Sequence, residues 1–175
     1  MLGGREMMSN GCSKHWAFLL VLFLALFPVG ATGSEPMRPG NQLAPFSLED
    51  QHGQEHELGS SISLILFTRN RAGAAVMTEF MEGRDGEFLS DRGIAYINDI
   101  SAMPSFAASL FALPKMRRRP YDILLDRNTE ATARFPDKAG SATLIFLKEL
   151  VVRNVEYVSD AEALGKRLEA MPKKR

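Results

Sequence analysis

Residues 64–76 read Leu64-Ile65-Leu66-Phe67-Thr68-Arg69-Asn70-Arg71-Ala72-Gly73-Ala74-Ala75-Val76, an apolar run that breaks into polar residues and then into small ones. The run starts at Ile62 and is nearly continuous to Phe67, the pattern of a strand covered on both faces, and it is predicted to lie centrally in a sheet. Over residues 74–81 Val76, Met77, Phe80 and Met81 recur at helical spacing and give one apolar face. Strand, polar break and amphipathic helix together make the unit from which parallel α/β sheets are built.

Upstream, residues 46–49 and 55–58 flank Gln51-His52-Gly53-Gln54 and are predicted to pair as a hairpin. Downstream, Gly83 and Gly86 weaken the helix before Phe88 and Leu89, and residues 94–97 form the next strand, closing on Asn98 and Asp99. Pro104 suits a first helical position, and Phe106, Leu110 and Leu113 are expected to share an inward face until Pro114 stops that helix. Residues 121–125 read as a third core strand, turned by Asp126-Arg127-Asn128 into a short helix over 130–135. Residues 142–147 and 151–158 form a hairpin across Lys148-Glu149, and the capping-box pattern of residues 159–162 opens a last helix with Leu164, Leu168 and Met171 inward. This alternation predicts an α/β fold with parallel strands and helices on both faces.

Residues 17–27 are an unbroken apolar run, preceded by Lys14 and His15 and followed by Pro28, Gly30, Ala31 and Gly33, so residues 1–33 are read as a secretory signal peptide. The run falls short of the roughly 18 apolar residues of a bilayer span, so no stable membrane anchor is expected after cleavage. The mature chain is expected to be exported, to a bacterial periplasm. It divides into a flexible leader over 34–42, with Pro36, Pro39 and Gly40, one domain over 43–171 and a basic tail over 172–175. Roughly 140 residues suffice for an ordinary hydrophobic core. Basic and acidic residues number 21 each, a balance that argues against a nucleic-acid partner. The one cysteine, Cys12, lies in the segment expected to be removed, which leaves no disulfide framework, no thiolate nucleophile and no cysteine zinc site.

The element order resembles the thioredoxin-like fold in its redoxin and peroxiredoxin form, a three-layer α/β sandwich with a mixed central sheet and an N-terminal β-hairpin. Leu43-Ala44-Pro45-Phe46-Ser47-Leu48-Glu49-Asp50, followed by Gly53, looks like the opening motif of redoxins. Residues 121–126 resemble the family's second motif, a strand ending in Leu-Asp. Ser141-Ala142-Thr143-Leu144-Ile145-Phe146 is similar to the strand after the cis-proline of thioredoxins or the buried arginine of peroxiredoxins. Under this resemblance Ala72 and Ala75 occupy the positions of the Cys-x-x-Cys pair, and Ala142 or Ser141 that of the proline or arginine. The resemblance implies a degenerate member, neither a thiol-disulfide oxidoreductase nor a cysteine peroxidase.

Ligands in open α/β sheets bind beyond the carboxyl ends of the strands. Arg69, Asn70 and Arg71 follow the central strand, Asp99 follows the next, and the free N–H groups of Gly73, Ala74 and Ala75 are expected to point toward the same place, giving a candidate anion site. The plainer alternative is an Arg69–Asp99 ion pair. Lys115, Arg117, Arg118 and Arg119 form the one local charge excess, a candidate patch for an acidic protein face or lipid headgroups. His52 and His56 are four apart, but Gly53 places them in an exposed turn and no metal is expected. No Gly-x-Gly-x-x-Gly follows a strand, so no cofactor is predicted, and no catalytic residue is assigned. The expected function is a periplasmic binding or protein-interaction module taking an unknown periplasmic protein or a small anionic ligand. The alternative is a non-thiol enzyme or cofactor-binding oxidoreductase with Asp99 as its proton-transfer group beside Arg69.

Overall fold

The structure, a computed structural model, describes residues 35–174. The signal peptide expected over residues 1–33, with Cys12, lies outside the described residues. Among the described residues no helix is long and apolar enough to cross a membrane.

Strands β1 (Phe46–Glu49) and β2 (Glu55–Leu58) form the antiparallel hairpin. Strand β3 (Leu64–Thr68), buried at every residue, leads into helix α1 (Arg71–Phe80), a short helix α2 (Glu87–Ser90) and strand β4 (Ile94–Asp99). Helices α3 (Ser105–Ala107) and α4 (Leu113–Met116) lead to strand β5 (Leu124–Asp126), then comes the hairpin of β6 (Ala142–Lys148) and β7 (Val151–Val158), and helix α5 (Ala161–Glu169) closes the domain. One seven-stranded sheet results, ordered β2-β1-β5-β4-β3-β6-β7. The pairs β3–β4 and β4–β5 are parallel, and the others are antiparallel.

Alternation along the strands divides the core. Leu64, Leu66 and Leu144 face Val76, Met77 and Phe80 of α1 and Leu164 and Leu168 of α5. Ile65, Phe67 and Ile145 face the other way, toward Met37, Leu43 and Phe135. Both parallel crossovers lie on the α1 side, so the helical core residues gather there and not on both faces. The opposite face is covered by the chain before β1 and by the β5–β6 crossover. Where a loose leader is expected, Met37 is buried, Met37 N donates to Arg134 O at 2.7 Å, and Gly40 N donates to Val152 O at 2.8 Å.

Two local expectations are corrected. Residues 130–134 form turns and no helix, because the Asp126 carboxylate takes the Thr132 N–H at 2.8 Å and the Thr132 hydroxyl at 2.8 Å, a local side-chain bonding that competes with a helical turn. Pro114 does not stop its helix. Residues 105–116 run on through a π-helical turn (Ala108–Ala112), where the wider ring accommodates a proline that has no N–H for the carbonyl four residues back. Ala108 and Leu113 take the buried positions, and Phe106 and Leu110, expected inward, stand 67 % exposed.

Candidate functional site

A cleft of about 680 Å3 opens beyond the carboxyl ends of β3 and β4, between the start of α1 and the helical segment over 105–116. Its lining comes from the ends of β3 and β4 and from Tyr121 and Ile123 just before β5, the three strands that run parallel in the sheet. Thr68 pairs with Asn98 in the parallel register, which sets Arg69 and Asp99 side by side at its rim.

Arg69 and Asp99 form the ion pair that the sequence offered as an alternative. Arg69 Nε donates to Asp99 Oδ2 at 2.7 Å, its Nη2 donates to the Thr132 carbonyl at 2.7 Å, and the guanidinium sits 5.0 Å above the Phe67 ring. Asp99 also accepts the Ser101 N–H at 2.9 Å, and the Thr132 hydroxyl, whose shorter bond is to Asp126 at 2.8 Å, lies 3.2 Å from it. Burial pushes the Asp99 carboxyl up, but hydrogen bonds from Ser101 and Arg69 and the Arg69 charge outweigh it and hold the group below the ordinary carboxylate range. Both side chains line the cleft while bound to one another.

Helix α1 starts at Arg71, three residues earlier than the apolar pattern suggests, because Asn70 is its N-cap. Asn70 Oδ1 accepts the Gly73 N–H at 2.8 Å and its carbonyl accepts the Ala74 N–H at 3.1 Å, so these expected anion-binding donors are already engaged. The Asn70 amide reaches Ser141 O at 3.3 Å and Asp137 Oδ1 at 3.2 Å, bracing the loop before β6. Gly73 packs on that loop so closely that a Cβ would overlap the Ser141 carbonyl. Ala72 and Ala75 are exposed in the first turns of α1, and Ala142 is buried at the start of β6. Of the five residues expected around an anion, Arg71 alone is exposed, lines the cleft and, among the described residues, has no salt bridge.

The basic loop divides. Lys115 and Arg119 line the cleft and join Arg71 as cations without a salt bridge among the described residues, whereas Arg117 Nε donates to Gln51 O at 2.8 Å and Arg118 is exposed outside the cleft. The cleft wall that sequence reasoning missed is apolar, made by Ile100, Met103, Phe111 and Met116. At its floor Tyr96 and Tyr121 are buried, and burial pushes both phenols up; Tyr96 shares a 3.3 Å hydrogen bond with Thr68, and the Arg119 charge partly offsets the rise at Tyr121. The only advance signal was the helical spacing of Phe111 and Lys115, and that spacing did not say which side faced the sheet.

His56 is half-buried, with Nε2 2.9 Å from Asp50 Oδ2, and the Asp122 carboxylate completes a trio whose donor atoms lie within 4.8 Å of one another. Asp50 Oδ1 also accepts the His52 and Gln54 N–H groups. Burial raises the Asp50 carboxyl, but these bonds and His56 outweigh it and hold it low. The trio could hold a metal ion, but its carboxylate already braces the β1–β2 turn.

No family model and no curated relative matches the chain. Solved structures do. The exposed lipoprotein thioredoxin Etrx1 of Streptococcus pneumoniae superposes with a TM-score of 0.52 at 13% identity, over 73% of this chain and 100% of that one. The peroxidoxin BcpB of Mycobacterium tuberculosis superposes with a TM-score of 0.51 at 20% identity, over 76% of this chain and 95% of that one. At such identities the likeness is one of architecture. The chain therefore has the thioredoxin-like fold, with a mixed seven-stranded sheet, an N-terminal hairpin and alanines at 72 and 75 on the helix that follows β3.

Proposed function

We propose that this is an exported thioredoxin-like protein without thiol redox activity, and that it binds a small amphipathic anion in the cleft at the end of β3 and β4. One observation carries the reading: an apolar-walled cleft rimmed by Arg71, Lys115 and Arg119 lies beside a helix whose first turns hold alanines at 72 and 75. The chain has no cysteine beyond Cys12 to supply a thiol. A ligand with an apolar body against Phe111 and Met116 and a carboxylate or phosphate among the three cations satisfies both halves of the wall. The acid–base alternative is weaker because Asp99 is held ionised and paired with Arg69 at 2.7 Å, where a general base is best poised near neutrality.

Thermal shift with decanoate, decanol and acetate tests the reading. Decanoate should stabilise the protein and the other two should not, because only decanoate carries both features. Arg71→Ala/Lys115→Ala should abolish the decanoate effect. An equal shift in wild type and variant, or no shift with decanoate or with decyl phosphate, overturns it.

A further inference from the structure

Phe106 and Leu110, four residues apart on one side of the helical segment over 105–116, are each 67 % exposed, with Phe111 at 64 % and Met103 at 38 % beside them. Single exposed apolar residues are ordinary, but four large ones on one short segment are not. Between Asp99 and Asp122 the chain has no acidic residue, and within nine residues of Leu110 come Lys115, Arg117, Arg118 and Arg119. The segment is also held firmly. Ala108 and Leu113 are buried beneath it, Met103 N donates to Ile100 O at 2.9 Å, and Arg117 Nε fixes the basic end to Gln51 O. An apolar knob presented on a braced element carries little ordering cost when it inserts.

We infer that this face docks on an anionic lipid surface, with Phe106 and Leu110 entering the boundary between headgroups and acyl chains and the basic loop over 115–119 resting on the phosphates. Charge complementarity selects the occupant. Aromatic and aliphatic side chains next to a cationic cluster free of acids match the layered chemistry of an anionic leaflet, apolar below and negative above. Phe106, Leu110 and Arg118 do not line the cleft, and the inference stands without the proposed ligand. Such a contact is reversible, because a few apolar side chains and cations fall far short of a membrane-spanning helix.

Vesicle flotation of the full chain tests it, with phosphatidylcholine vesicles and with vesicles containing phosphatidylglycerol at one part in four. The expected result is a phosphatidylglycerol-dependent increment that salt diminishes. Phe106→Ser/Leu110→Ser and, separately, Arg118→Glu should each lower that increment by roughly tenfold. These positions are exposed, so circular dichroism should show unchanged folding. Phe106→Trp, read against the wild-type signal of Trp16, should shift to the blue only when anionic vesicles are added. Equal binding to both vesicle types, or an increment unchanged in both variants, overturns the inference. So does a Phe106→Trp emission already blue-shifted without lipid, which would mean cover by residues 17–27 or a second copy of this chain. Capture of an acidic protein through Phe106 and Leu110 without vesicle binding likewise overturns it in favour of a protein partner.

Discussion

Arg69, just past the end of β3, and Asp99, the last residue of the parallel β4, close on each other at 2.7 Å, and the Thr132 carbonyl from the β5–β6 crossover takes an Arg69 N–H at 2.7 Å. A residue that sequence reading placed at a binding site therefore latches the β5–β6 crossover onto the sheet. Asp99→Asn should cost about 2–4 kcal/mol in urea unfolding, because it removes the charge partner of a mostly buried guanidinium. Arg71→Ala, at an exposed position, should fall within about 0.5 kcal/mol of wild type. Equal costs would show that the pair is no latch.

The same pair predicts a pH dependence. Asp50 and Asp99 titrate below the ordinary carboxylate value near pH 4 when folded and near it when unfolded. Their stabilisation is present in full above about pH 4 and is lost as the pH falls through the folded values, because the unfolded chain takes up protons first. Unfolding midpoints at pH 6 and pH 3 should therefore diverge in wild type and diverge less in Asp99→Asn; identical acid sensitivity would refute the assignment.

Gly73 meets backbone at the Ser141 carbonyl, and no flexible side chain is there to yield. Replacement by alanine in a helix would ordinarily add about 1 kcal/mol. Gly73→Ala should instead lose roughly 1–3 kcal/mol as the loop before β6 is forced away. A raised Tm would contradict this close approach.

Thr143 is fully buried in β6, and its hydroxyl has no partner among the described residues. Thr143→Val keeps the shape and the β-branching while removing a desolvated polar atom, so calorimetry should record a gain of about 1 kcal/mol. A loss would mean that the hydroxyl is bonded.

Ala72 sits in the first turn of α1, between the cap at Asn70 and the Gly73 N–H that it binds. A thiol there feels the helix N-terminus and Arg71. The alkylation midpoint of Ala72→Cys should fall below the free-cysteine value of about 8.5, and that of Ala75→Cys should lie higher. Midpoints in the reverse order would show that the helix N-terminus does not act on a group at position 72.

Sequence alone determined the elements whose signals are local. The continuous run ending at Phe67, the alternation of strand and helix, and the order of the redoxin-like motifs were enough for an α/β thioredoxin-like architecture, because periodicity and turn residues act within a few positions. Asn70 carried a legible capping signal as well, yet the apolar pattern placed the helix start three residues too late. Tertiary structure alone decided which side of residues 105–116 faces the sheet, since the spacing of Phe106, Leu110 and Leu113 fixes a shared stripe but not its direction, and a π-turn rotates the stripe midway. It also decided that Lys115 and Arg119 join Arg71 around one cleft while Arg69, Asn70 and Asp99 turn to internal bonds. Those pairings depend on strand register and on a crossover more than thirty residues away, where the packing of the whole sheet, and no local preference, sets which charges meet.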